Sequence, residues 1–248
     1  MDYLVFRLYG AMASWGEAAV GGDRPSATYP SRSAIIGLLA AALGIKREDN
    51  VRMGELISCV RLAVKQSSAG VLNRDFHTAQ VPSFNKKVVH NTRKDELSGE
   101  GHKLNTILSK RDYRCDGLWT VAVWLTEESK FDLTQLSTAL CKPKFTLYLG
   151  RKSCPLSAPV SARQISCESL RQALDTEFPL LLSEGKEQFW LRLPKQVTYY
   201  WQGNKDDIHG GHVETHQVWD QPIDKLRWQF TSREEHRVTK ELVHHVPK

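Results

Sequence analysis

The fold class predicted for this chain is α+β: a ferredoxin-like split β-α-β sheet with one inserted arm, followed by a small, mainly β C-terminal half. Three observations predict it. Leu118–Leu125 (LWTVAVWL) carries apolar residues on both faces, as a central strand covered on both sides does. Elements before and after it read β-α-β, insertion, β-α-β. The insertion, residues 67–114, has no helical period, few large apolar residues and many cations.

Tyr3–Tyr9 alternates, with Leu4, Phe6 and Leu8 on one face, and is predicted as the first strand. Gly10–Tyr29 is a connection of small and polar residues, longer than most loops, which marks it as a binding surface. Pro30, Ser31 and Ser33 open a helix that Gly44 closes after Leu43, with Ile35, Leu38, Leu39 and Ala42 as its buried stripe. A second strand is predicted over Cys59–Lys65. Asp132–Cys141 reads as a short helix on Leu133, Leu136 and Leu140, and Phe145–Leu149 as the fourth strand. These elements make a domain of residues 1–158. Residues 159–248 form the smaller half, with a helix from Glu168 to Leu174. Strand-like runs follow at Phe189–Leu193, Val197–Trp201, Val213–Val218 and Arg227–Phe230.

The charge is local. The chain has 248 residues, with 34 Lys and Arg against 28 Asp and Glu. Residues 61–114 hold eleven cations and five acids, and the remainder is balanced. A polyanion partner and a solvated basic surface both account for such a segment. Its low hydrophobicity fits either an extended hairpin or a disordered loop. Five scattered cysteines without a C-x-x-C suggest neither zinc ribbon nor disulfide framework. With no signal-peptide pattern and no apolar run of spanning length, a reduced, cytoplasmic protein without membrane contact is expected.

Tyr148-Leu-Gly-Arg-Lys-Ser-Cys-Pro155 is a candidate anion site. Gly150 permits a sharp turn near a ligand, and Arg151 and Lys152 bring charge to it. Arg32 and Ser33 stand at a helix N-terminus, where N–H groups favour phosphate, and Arg24 lies just ahead. Arg74, Lys86, Lys87, Arg93, Lys94, Lys103, Lys110, Arg111 and Arg114 stud the insertion, whose centre Gly99 and Gly101 soften; of these Lys86, Lys87, Arg93, Lys94 and Arg111 are the candidate contacts.

Three blocks, RLYGAMASWGE (Arg7–Glu17), RPSATYPSRSAIIGLLAAALGIKRED (Arg24–Asp49) and KPKFTLYLGRKSCPLSAP (Lys142–Pro159), carry a resemblance. With the weaker RDFHT (Arg74–Thr78) and FTSREEHRV (Phe230–Val238), they resemble the CasD-type subunits of Type I-E CRISPR Cascade complexes, within the RAMP superfamily. The resemblance implies an RRM-like, ferredoxin-like domain with an inserted β-hairpin thumb at residues 67–114. It also implies a non-catalytic role, without cofactor, in an antiviral ribonucleoprotein. The partners it implies are the 5′ handle of the CRISPR RNA, the large subunit, the first backbone subunit and target DNA held by the assembly. The chain departs from the family pattern at Ala11 and Ala13, where Pro and Gln are usual, and at Glu235, where an aromatic is common.

The rival from another class is a metal-independent endoribonuclease processing precursor RNA, with His77, His90, His102, Lys103 and Tyr113 as candidate acid, base and charge-stabilising groups. A scaffold touching protein alone does not use the localised charge. His209-Gly-Gly-His212-x-x-x-His216, with Asp206, Asp207 and Glu214, lacks a cysteine pair and reads more simply as a glycine turn entering a strand than as a zinc site. The closing His244-His245 run is not a convincing nuclease motif.

Overall fold

In the computed structural model, residues 1–19, 21–98, 104–182, 186–191, 193–224, 227 and 229–241 are described. The chain runs β1 (Asp2–Ala13), β2 (Asp23–Arg24), α1 (Arg32–Leu43), α2 (Asn50–Cys59), β3 (Val60–Ser68), β4 (Val71–Pro82), α3 (Arg93–Leu97) and β5 (Leu104–Leu125). It continues α4 (Leu133–Cys141), β6 (Arg163–Ser166), α5 (Leu170–Leu174), α6 (Glu187–Trp190), β7 (Gln196–Trp201), β8 (Glu214–Asp224) and β9 (Gln229–Glu241). One sheet has the order β6-β1-β5-β3-β7-β9-β8, with β2 and β4 added to β5. Its first four positions, all antiparallel neighbours, are the ferredoxin-like arrangement.

Alternation decides which way each strand faces. Leu4, Phe6 and Leu8 of β1, with Trp119, Val121 and Val123 of β5, pack under α1, α2 and α4. Tyr3, Val5, Ala63 and Ala122 face the other way, into a second cluster with α5, Tyr199 and Trp201. β5 is therefore covered on both faces, as its composition predicts. Ser31 caps α1 by accepting from the Ala34 N–H, and Gly44 closes it at φ 72°, the left-handed conformation a glycine C-cap supplies.

The insertion is a β-hairpin. β4 pairs with the first half of β5 from Val71–Cys115 out to Pro82–Leu104. At roughly 3.3 Å per residue, the twelve-residue β4 reaches about 40 Å. Gly99, Gly101, His102 and Lys103 lie outside the described residues, as do His244 and His245.

The fourth strand of the sheet is not Phe145–Leu149. The N–H groups of Lys144 and Phe145 donate to the Ala42 and Ala41 carbonyls, drawing this segment onto the C-terminal end of α1. Leu147 and Leu149 are buried without joining the ladder. The position beside β1 is taken by β6, where Asp2–Val5 pair with Arg163–Ser166. β6 has four residues, three of them polar, too short and too polar for an alternation signal. The run at Phe189–Leu193 is likewise not a strand, for its described residues include the short α6. α2 was not expected; Asp49 caps it by accepting from the Arg52 N–H, and Met53, Leu56 and Cys59 form its buried stripe. Strands β7, β8 and β9 continue the same sheet from β3, across the division expected at residue 158.

Candidate nucleic-acid interface

The root of the hairpin gathers cations from four separate stretches of sequence. β2 runs parallel to β5, placing Arg24 opposite Arg111 and Asp23 opposite Lys110. The Lys110 N–H donates to the Gly22 carbonyl at 3.0 Å. Arg151 arrives from the Gly150 turn, lies over the Tyr113 ring at 5.0 Å and donates to the Arg24 carbonyl at 3.4 Å. Its other terminal nitrogen, Nη1, is buried with no hydrogen-bond partner among the described residues. Arg114 donates to the Ala27 and Ser26 carbonyls at 3.2 and 3.3 Å, holding the long connection against β5.

A buried acid stands among them. Asp112 is buried and takes a two-pronged contact from Arg74, at 2.8 and 2.9 Å. Hydrogen bonding from Arg74 holds its carboxyl below the ordinary value, against the opposing effect of burial, and the charges of Arg74, Arg114 and Arg151 add to this. Two further acids lie at the root: Asp23 faces Lys110 at 3.9 Å, and Asp75 stands opposite Arg111 on β4, in contact with His77. Arg24, Arg111 and Lys152 are exposed, so the root presents a net positive surface of the kind a phosphate backbone neutralises.

The connection bearing Arg24 is pinned at several points. Trp15 meets Trp119 edge-to-face at 5.2 Å, and the Trp119 indole donates to the Thr28 carbonyl at 2.8 Å. The Trp15 N–H donates to Ser26 Oγ at 3.0 Å. Gly150 has φ 85°, and a Cβ there would lie 1.8 Å from the Ser14 carbonyl oxygen. The close approach this glycine permits is to the chain's own backbone.

Arg32 does not join this group. It is buried, donating to Gln202 at 2.9 Å and to the Ile57 carbonyl at 2.7 Å. Its backbone N–H donates to Asp220 Oδ2 at 2.6 Å, so a carboxylate of the chain itself sits where a phosphate was expected at the start of α1. Burial, together with the like charges of Arg233 and Arg61, lowers the Arg32 guanidinium to about 10. Ser33 pairs with Ser31 through their hydroxyls at 3.1 Å.

Lys86, Lys87, Arg93 and Lys94 stand at the far end of the hairpin, exposed in the apical loop and in α3. From Asp112 to Leu104 along β5 is about 25 Å at the usual strand rise. The sequence candidates thus fall into a root group (Arg24, Arg111, Gly150, Arg151, Lys152), an apical group, and the buried Arg32 with its neighbour Ser33. Arg74 and Arg114 complete the root and were not among the expected contacts.

The nuclease candidates are dispersed. His77 contacts Asp75 on β4, Tyr113 is buried beneath Arg151, and His90 is in the apical loop. His102 and Lys103 are not described. Among the described residues, no group of three or more His, Cys, Asp or Glu is placed to hold a metal ion. Nor, among them, is any helix long and apolar enough to cross a membrane.

An RRM-like sheet with an inserted hairpin and a cationic root is the build of a RAMP protein. Residues 3–236 match the family model described as CRISPR-associated protein (Cas_Cas5), and the chain belongs to this Cas5 family. It is 34% identical over 243 residues to the CRISPR system Cascade subunit CasD of Escherichia coli (strain K12), covering 94% of each chain. A solved structure described as a CRISPR RNA-guided surveillance complex is similar at a TM-score of 0.63 and 26% identity, over 96% of this chain and 90% of that one. A crystal structure of a Cas protein is similar at a TM-score of 0.60 and 26% identity, over 96% and 95%.

Proposed function

We propose that the chain is a non-catalytic, cytoplasmic subunit of a Type I-E Cascade, binding and capping the 5′ handle of the CRISPR RNA at the root of its hairpin. The observation that carries this reading is the convergence of Arg24, Arg111 and Arg151, from three distant stretches, on one face beside the protruding ribbon. Handle phosphates neutralise these cations, and the Gly150 turn holds Arg151 and Lys152 in place. Such contacts fix the register of the backbone, while the guide supplies sequence specificity by base pairing. The apical cations Lys86, Lys87, Arg93 and Lys94 extend the contact along the RNA. The large subunit and the first backbone subunit pack against this chain, and target DNA is held by the assembly. Kinship with a Cascade subunit supports the assignment.

The test is RNA retention. Arg151→Ala combined with Lys152→Ala is expected to weaken binding of a labelled repeat-derived handle RNA, and unchanged retention overturns the reading. Incubation of that RNA with the purified chain should leave it intact. Cleavage would favour the endoribonuclease reading.

A further inference from the structure

Glu235, set apart in the sequence as a departure from the family pattern, lies in a buried charged cluster with Arg233, Asp220 and Arg32. It is 2% exposed, accepts from Arg233 at 2.5 Å and accepts from the Tyr29 hydroxyl at 2.5 Å. Arg233 is itself held two-pronged by Asp220, at 2.6 and 3.0 Å, and Asp220 caps α1 through Arg32. Tyr29 also stacks flat on Tyr200 of β7, with ring centroids 3.7 Å apart and planes 10° from parallel. Burial, with the Glu235 charge and hydrogen bond adding to it, pushes the Tyr29 phenol far above its usual value, so the hydroxyl stays protonated and donates.

Tyr29 ends the connection that carries Arg24. Between the two residues, the Ser26, Ala27 and Thr28 carbonyls are already occupied by Arg114 and Trp119. That stretch is thus fixed at one end by the β5 side chains and at the other by β9. An aromatic residue at position 235 would offer Tyr29 no carboxylate and Arg233 no second partner.

We infer that Glu235 is a positioning residue for the RNA interface: through Tyr29, strand β9 sets where the Asp23–Thr28 stretch, and with it Arg24, meets the handle. This rests on the proposed RNA-binding role. It assigns to the C-terminal strands a part in RNA recognition that requires no contact with RNA.

The experiment is a double-mutant cycle read by RNA affinity. Tyr29→Phe removes one hydroxyl and keeps the ring stack; Glu235→Gln keeps an acceptor and removes the charge. Each is combined with Arg24→Gln, and fluorescence anisotropy is measured with a 5′-labelled single-stranded handle RNA across a salt series. Each single variant is expected to bind about fivefold more weakly, the loss that follows from one displaced contact. Neither should weaken binding further once Arg24 is replaced. Thermal unfolding of Tyr29→Phe serves as the folding control and should remain a single cooperative transition. Full affinity in both single variants, or losses that add to that of Arg24→Gln, overturns the inference. If instead the unsubstituted chain shows no salt-dependent RNA binding, or Arg24→Gln changes nothing, the RNA-binding reading fails first.

Discussion

Arg24 and Arg111 stand at the same register position on neighbouring parallel strands, two like charges side by side at the root of the hairpin. Nothing in the sequence between them enforces this; the two-residue β2 does. Like charges in adjacent strands repel, and the arrangement is relieved when a polyanion lies across both.

Arg24→Gln and Arg111→Gln should each reduce the slope of log affinity against log salt by about one, because each neutralises one phosphate. Anisotropy titrations from low to moderate salt measure this. An unchanged slope in both variants would place the RNA elsewhere.

Gly150→Ala should destabilise the fold by at least about 2 kcal/mol, since it adds a strained left-handed backbone to an overlap with the Ser14 carbonyl. Urea denaturation reads the loss. Gly37→Ala is the counterpart inside α1. A Cβ there meets nothing within 4 Å, and the exchange should stabilise by about 0.5–1 kcal/mol.

Asp220→Ala leaves Arg233 and the α1 N-terminus without their shared carboxylate. A cost of about 3–5 kcal/mol is expected, the usual result of breaking a buried ion pair from one side. Asp220→Asn retains an oxygen for the Arg32 N–H and should lose less. Calorimetry distinguishes the two. Equal losses would mean that the charge, and not the cap, matters.

Acid should weaken the fold through Asp112 and Asp175. Both carboxyls lie below their reference value of 3.8, Asp112 through Arg74. For Asp175, burial acts upward and is outweighed by hydrogen bonds from Lys65 and Tyr199 and by the Lys65 and Arg171 charges. A depressed folded value means that the stabilisation is complete above 3.8 and lost as pH falls through the lower folded values. Urea midpoints should therefore drop more steeply below about pH 4 in the parent than in Asp112→Asn/Asp175→Asn. Parallel curves would overturn this.

Much of the fold was legible because alternation and capping are local. β1, α1 and the two-sided inner half of β5 follow from residues within a few positions of one another, whereas the charged insertion fitted a hairpin and a disordered loop alike and only the resemblance pointed to a thumb. β6 was not, since three of its four residues are polar and it gains its place only by pairing with Asp2–Val5, distant in sequence. The candidate site divides along the same line. Arg151 announced itself in a glycine turn, whereas its meeting with Arg24 and Tyr113 depends on tertiary pairing. Arg32 misled for a physical reason: a helix N-terminus attracts any anion, and here Asp220, 188 residues away, supplies it.

β5 is a single 22-residue strand whose outer half belongs to the hairpin and whose inner half is the centre of the sheet. Side chains along a strand change sides at every residue, and the two halves are locked in phase with one another across the left-handed Asp116 (φ 57°) at their junction. One residue inserted between Cys115 and Leu118 would leave Trp119, Val121 and Val123 anchored in the core and turn the outer ribbon over. Arg111 and Asp112 would exchange faces, and a carboxylate would be presented where the cation stands. The hairpin's length can drift through its apical loop, but the count of residues at its base is held to parity.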